Sequence, residues 1–261
     1  MFQEGGGGSG GDWRTLEYVK GIRGNVEDMR RHYPEGYTAR VYHDKNWEQN
    51  PEQMRRLCQV YCDHRDVVDL CAVRKLALHG PSERRPLLPK FGMLWRFSPM
   101  ADPLVAEFHS RDLDSRPTER EWAAVEEWLR SDRTFHVMRD HYAHELAMLG
   151  GLWGMRLTTE GSMRPGFVQL FDKMLSRGVK WYRGLDQVLL RQYVWPVARQ
   201  DMVAHDSWYC ERFPSPMNRP WPVRRRRGGR NFVGSASEGH SITRECPREC
   251  RPREHPEWTL C

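Results

Sequence analysis

No run of this 261-residue chain approaches the ~18–20 consecutive apolar residues that a membrane-spanning helix needs, so no transmembrane anchor is expected within it. The first residues have neither the basic region nor the apolar stretch of a secretory leader, and no signal peptide is expected there. Zinc-finger, helix-turn-helix and leucine-heptad patterns are also missing. Their absence bears on the formal charge of +6, which would otherwise invite a nucleic-acid partner. Much of that charge is local: Arg224, Arg225, Arg226 and Arg227 form one cluster, with Arg219 and Arg230 nearby, while the middle of the chain mixes acids and bases. Such a spread reads as a solvated face rather than a groove that tracks phosphates, and no nucleic-acid partner is expected. Wholesale disorder is excluded by eleven tryptophans and nine tyrosines, whose rings need burial or stacking.

Seven cysteines are an odd total, so at least one thiol is free or pairs between chains. Cys58, Cys62 and Cys71 sit together, Cys210 stands alone, and Cys246, Cys250 and Cys261 close the tail. Cys58, Cys62, His64 and Cys71 could supply four zinc ligands. The plainer expectation is one disulfide, Cys58 or Cys62 with Cys71, or simply buried thiols.

Residues 1–11 read as a flexible linker or an engineering scar, GGGGSGG being its core. From Asp12 to about His32 the apolar positions Leu16, Val19, Ile22, Val26 and Met29 recur at helical spacing, and Tyr33-Pro34-Glu35-Gly36 stops that helix. A strand is expected over Tyr37–His43, a helix over 51–62 and a turn-rich connection over Gly80–Pro89. A short strand, Leu104–His109, leads into an acidic loop. Thr118 and Glu121 form a capping box for a helix to about Arg130. Phe135–Arg139 is a further strand candidate, Leu149–Arg156 could hold another, and 163–177 and 185–198 have helical periodicity. From Ser235 the hydrophobic rhythm is lost, and residues 235–261 are expected to be a mobile tail rich in Cys, Arg and Pro. This order predicts an α/β protein with a mostly parallel sheet, its domain spanning 12–234.

The acidic loop is Ser110-Arg111-Asp112-Leu113-Asp114-Ser115-Arg116. Open α/β sheets place ligands at the carboxyl ends of strands, where this loop is expected. Two carboxylates one residue apart can hold a hard divalent cation that also grips phosphate oxygens. Turn initiation is the plain alternative for Asp and Ser, but the flanking Arg111 and Arg116 suit an anionic diphosphate. Three more clusters follow. Met138-Arg139-Asp140-His141 precedes Leu149-Gly150-Gly151-Leu152-Trp153-Gly154, whose glycines would let the backbone approach something closely while the indole lines a wall. Asp186-Gln187 opens a helix, where an acid is also favourable for local reasons. His205-Asp206-Ser207 could offer a neutral nitrogen to a metal.

These blocks, together with Phe91–Phe97, Asp102-Pro103, Arg120-Glu121, Trp128 and Trp195-Pro196, resemble a family of single-domain GT-A glycosyltransferases found mainly among bacterial surface-polysaccharide genes and more sparsely in eukaryotes. The similarity runs from about Tyr18 to Gly234. It implies a Rossmann-type GT-A domain and a metal-dependent transfer of sugar from a nucleoside diphosphate, a UDP-sugar rather than a GDP-sugar, to a glycan or lipid-linked acceptor. By the same resemblance Asp114 binds Mn²⁺ or Mg²⁺, Asp112 touches the ribose or the metal, and His205 completes the site. Gly150, Gly151 and Trp153 form a sugar wall by the resemblance, while Arg111, Arg116 and Arg139 are read from their own charge as candidates to meet the diphosphate. Asp186 and Gln187 lie under the donor sugar by that resemblance, which suggests retention; in an inverting enzyme Asp140 or Asp186 could serve as the base.

One departure is that the strand expected before the first helix is missing. That motivates a rival reading, an impaired relative that binds nucleotide without transfer. A metal-dependent phosphoesterase is a further rival, though such sites need more carboxylates around two ions. A bacterial member would work in the cytoplasm or peripherally on the membrane, a eukaryotic one in the Golgi lumen. After Pro220 and Pro222, the Arg224–Arg227 cluster is a candidate lid over the diphosphate.

Overall fold

The computed structural model describes residues 11–76, 78, 92–159, 162–163, 165–177, 182, 184–213, 218–225, 232–235 and 242–261. The glycine run at 5–10, the connection at 80–89, Phe91, Arg226, Arg227 and Arg230 lie outside them. The chain divides into two compact units, 1–105 with 162–185 and 106–161 with 186–261.

In the first unit, α1 (Gly11–His32) packs against α2 (Pro51–His64). Ile22 and Val26, one helical turn apart on the expected stripe, are fully buried, as are Leu57 and Val60 of α2. Arg30, Arg31 and His32 fill the last turn of α1, where cations suit the negative end of the helix dipole. Proline opens α2 at a position where its missing N–H costs nothing. Strands β1 (Ala39–His43) and β2 (Val68–Ala72) pair in parallel, with Ala39 opposite Val68 and His43 opposite Ala72. A parallel pair needs a crossover, and α2 supplies it.

Arg40 bridges Asp69 at 3.2 Å and the buried Asp102 at 2.8 Å. A ten-residue 3-10 helix, Gly92–Ala101, buries Leu94, Trp95, Phe97 and Met100, and α4 (Pro165–Arg177) packs on it with Phe171, Met174 and Leu175 buried. Cys58, Cys62 and Cys71 are all free thiols, and burial pushes Cys71 up to about 12. None of the three takes part in a disulfide; the two disulfides lie in the other unit, Cys210–Cys250 and Cys246–Cys261.

The second unit is built on a five-stranded sheet in the order β3 (Glu107–Ser110), β5 (Trp153–Arg156), β4 (Phe135–Arg139), β8 (Met202–Asp206), β9 (Asn218–Arg219). Strands β6 (Thr158–Thr159) and β7 (Ser162–Met163) are two-residue pieces. The pairings of β5 with β3 and with β4 are antiparallel, whereas β4–β8 and β8–β9 are parallel. This overturns the expectation of a single Rossmann-type domain with a mostly parallel central sheet. Among the described residues there are three separate sheets, of two, five and two strands, and the five-stranded one is mixed. In its antiparallel half β4 returns to β5 through a loop, 140–152, without the crossover helix that usually joins parallel neighbours. A strand's own residue pattern carries no sign of the direction of its partner.

Helix α3 (Glu119–Leu129) starts where the capping box put it, with Thr118 Oγ1 accepting from the Glu121 backbone N–H at 3.1 Å. Helix α5 (Leu185–Leu189), a π turn (Leu190–Val194) and α6 (Trp195–Ala198) follow without a break. Pro196 cannot donate the next α-helical bond, which is a physical reason for the widened turn before it. No helix among the described residues is long and apolar enough to cross a membrane. Leu57 is completely enclosed, so Leu57→Ala should lower the unfolding free energy by about 2–5 kcal/mol. Urea denaturation followed by circular dichroism measures that loss.

Candidate functional site

Strand β3 delivers the acidic loop, and the loop is fixed from beneath. Ser110 lies opposite Trp153 in the β3–β5 register, and its hydroxyl donates to the Gly150 carbonyl at 2.7 Å. Asp112 lies directly over Gly151: a Cβ there would come within 2.6 Å of the Asp112 carboxyl carbon. The Ser115 backbone N–H closes the turn onto the Asp112 carbonyl at 3.2 Å. Two of the sequence-predicted clusters, the acidic loop and the glycine block, are thus brought together. Glycine at 151 is what lets a half-buried carboxylate rest on the turn. Asp114 is exposed, and Arg116 is half-buried.

Arg111 is enclosed by protein groups. Its guanidinium pairs with the fully buried Glu121 carboxylate at 2.9 Å and donates to Ser115 Oγ at 3.2 Å and to the Arg116 and Gly151 carbonyls at 3.4 Å. It therefore pins both ends of the acidic loop to α3 and to the glycine turn.

At the end of β4, Asp140 is completely buried. Arg120 donates to it from Nη2 at 2.9 Å and Nε at 3.1 Å, Arg225 from Nη2 at 2.6 Å and Nη1 at 3.1 Å, Ser207 Oγ at 3.0 Å, and the Val233 N–H at 2.9 Å. Burial alone would raise its carboxyl, but Arg120, Arg225 and the Val233 N–H outweigh it and hold Asp140 at about 2. Next to it Arg139 and Asp206, both fully buried, pair at 2.6 Å, and Asp206 also accepts the N–H groups of Trp208 at 2.9 Å and Tyr209 at 2.7 Å. Trp153 is fully enclosed, edge-on to Phe108 at 5.0 Å, so its ring belongs to the core of the sheet. Asp186, buried, and Gln187, half-buried, stand in the first turn of α5.

His205 belongs to a row of buried histidines. Its Nδ1 meets His136 Nε2 at 2.8 Å, and its Nε2 meets Glu127 Oε2 at 3.0 Å. If the Nε2 proton is on the Glu127 side, Nδ1 accepts from His136, and both ring nitrogens are used. Arg219 pairs with the other oxygen of Glu127. Burial would raise Glu127, yet the His205 and Arg219 interactions hold it at about 2. His136 stacks on Trp128 at 5.5 Å, and His109 stands edge-on to the same indole at 5.0 Å. His109 and His136 both lie opposite Gly154, one from each side of β5. A Cβ on Gly154 would come within 2.7 Å of His109 Nδ1, so this glycine makes room for a ring.

The Glu127–His205–His136 chain and the Arg120–Asp140–Arg225 clamp were not foreseen from the sequence. A signal existed for the first: three strands of one sheet, β3, β4 and β8, each carry one histidine, at positions 109, 136 and 205. Among the described residues no group of three His, Cys, Asp or Glu is arranged to hold a metal ion. No protein-family model matches the chain, and no curated protein or solved structure matches it either.

Two measurements test this arrangement. Burial lowers His109 to about 3, with Arg111 adding to the effect, lowers His144 to about 4, and takes His136 well below its usual value. All three stay neutral in the folded chain while the unfolded chain takes up protons below about 6.5. Their contribution is fully present above pH ~6.5 and falls as pH drops, by up to about 1.4 kcal/mol per pH unit for each. Melting curves between pH 7.5 and 5 should show that decline. Gly154→Ala forces the His109 ring or the Phe108 carbonyl to move, at about 1–3 kcal/mol. Replacing His109 by Gly in the same chain should recover part of the loss, read by the same melts.

Proposed function

We propose that the chain is a divalent-cation-dependent glycosyltransferase that moves a sugar from a nucleoside diphosphate, UDP before GDP, to a hydroxyl of a glycan or lipid-linked acceptor. One observation carries the reading: the Asp112–Asp114 loop stands at the carboxyl end of β3, seated on Gly151 in a cradle that a side chain would fill. Two hard oxygen ligands at that edge fit Mn²⁺ or Mg²⁺. His205 does not fit as their partner, because both of its nitrogens are engaged with Glu127 and His136. The cation-holding set proposed is therefore Asp112 and Asp114. Such a cation supplies Lewis-acid stabilisation of the leaving diphosphate.

Arg111 and Glu121 orient the loop, and Arg116, beside it, is the cation proposed to meet diphosphate oxygens. Asp140 and Arg139, both spent inside the protein, position β4 rather than touch substrate. Asp186 and Gln187 remain the groups proposed to face the donor's anomeric carbon, with retention of configuration. The two disulfides favour folding in an oxidising compartment, which supports the lumenal rather than the cytoplasmic placement.

A second reading has its own support. With His205, Arg139 and Asp140 all turned inward, the chain could bind a nucleotide without transferring its sugar. A screen with UDP- and GDP-sugars separates the two, since only transfer releases free nucleotide in a Mn²⁺-dependent way. Asp114 is exposed and outside the core, so Asp114→Ala should fold normally and weaken UDP–Mn²⁺ binding at least tenfold by calorimetry. Unchanged affinity in that variant would remove the acidic loop from the site and the reading with it.

A further inference from the structure

Residues 242–261 have little secondary structure, a three-residue 3-10 turn at Arg248–Cys250, yet they are fastened in several ways. Cys250 is bonded to Cys210, just beyond β8, and Cys246 to Cys261. The Cys246 N–H donates to the Thr259 carbonyl at 2.8 Å, and Arg251 Nε to the Cys246 carbonyl at 3.1 Å. Ile242, Cys246 and Cys261 pack in one apolar cluster with Trp208 and Phe232. From this knot the Leu260 carbonyl accepts from Arg225 Nε at 3.1 Å. The other nitrogens of that guanidinium reach Asp140, its carboxylate and, at 3.0 Å, its carbonyl. Val233 also donates to Asp140 and packs with Leu152, the residue after Gly151. A continuous path of contacts leads from the tail, through Arg225, Asp140 and Val233, to the glycine turn under Asp112.

We propose that residues 242–261 form a disulfide-closed clamp that holds Arg225 on Asp140 and thereby fixes the glycine turn, so that cation binding at the acidic loop depends on an oxidised tail. The clamp stands on its own contacts, while its link to cation binding rests on the transferase reading. Arg225 acts through Asp140 and is a positioning residue. A dithiol gives two electrons and two protons to each disulfide, leaving two thiols and closing to its own disulfide. Cys58, Cys62 and Cys71 are already thiols, so a dithiol acts on the two tail bonds alone.

The experiment uses the full chain, oxidised or treated with dithiothreitol, and the variants Cys261→Ser, Arg225→Met and Arg225→Lys. Limited trypsin digestion followed by mass spectrometry reads cleavage after the exposed Arg244, Arg248 and Arg253. Mn²⁺ alone, titrated by electron spin resonance, reads the acidic loop. Reduction or Cys261→Ser should speed tail cleavage on the order of 100-fold, as expected for opening a loop of this size. Both should weaken Mn²⁺ binding, and Arg225→Met should weaken it with both disulfides intact, Arg225→Lys recovering part. Tail protection unchanged by reduction overturns the clamp. A released tail with unchanged Mn²⁺ affinity overturns the coupling. If the oxidised wild-type chain binds no Mn²⁺, the transferase reading fails and the coupling with it, and cleavage alone then decides the clamp.

Discussion

Asp140 carries a full negative charge where no solvent reaches it, and the second unit is arranged around meeting that charge. An isolated buried carboxylate would cost many kcal/mol. Here it is met by Arg120 from α3, Ser207 after β8, and Arg225 and Val233 from the segment beyond β9. Three stretches of chain converge on one side chain, so their relative placement is set by hydrogen-bond geometry rather than apolar contact alone. Such a cluster adds little net stability over a hydrophobic equivalent, but breaking one partner leaves a buried charge unmet and costs about 3–5 kcal/mol. Its consequence is specificity: the tail has one place to sit.

The same rule governs the neighbouring ion pairs. Arg139 meets Asp206, and Arg111 meets Glu121, in each case with a carboxylate that is completely buried. These arginines are therefore committed before any ligand arrives. Asp114 is different, being exposed at the tip of a loop whose backbone is already held by Arg111 and Ser110. A group proposed to meet a cation gains from being held in place, and the backbone of this loop is so held.

The helices were legible because their signal is local. Ile22 and Val26 lie on the stripe that periodicity marks, and Thr118 caps α3 as its spacing from Glu121 requires. What the spacing could not show is that the Glu121 carboxylate also reaches across to Arg111, a partner outside the helix. The sheet order was illegible for a similar reason, since pairing direction is decided by how β4 returns to β5. Cysteine pairing was equally hidden. The tight 58–71 group remains thiols, while Cys210 joins a partner 40 residues on. The acidic loop and the glycine block were found as separate motifs; that one seats the other depends on register, Ser110 opposite Trp153.

His205 shows how a residue type suited to chemistry is absorbed by structure. A buried neutral imidazole is a good metal ligand only while one nitrogen keeps a free lone pair. In β8 the residue faces two neighbours that use both nitrogens, Glu127 from α3 and His136 from β4. Glu127 is held in turn by Arg219 of β9, so the ring is locked from the helix side and from the sheet edge at once. Freeing it for a cation would mean leaving His136 Nε2 or the Glu127 carboxylate without its partner in a buried setting, a cost of about 1–3 kcal/mol or more. Asp114, by contrast, is exposed after β3 and lies outside that buried row.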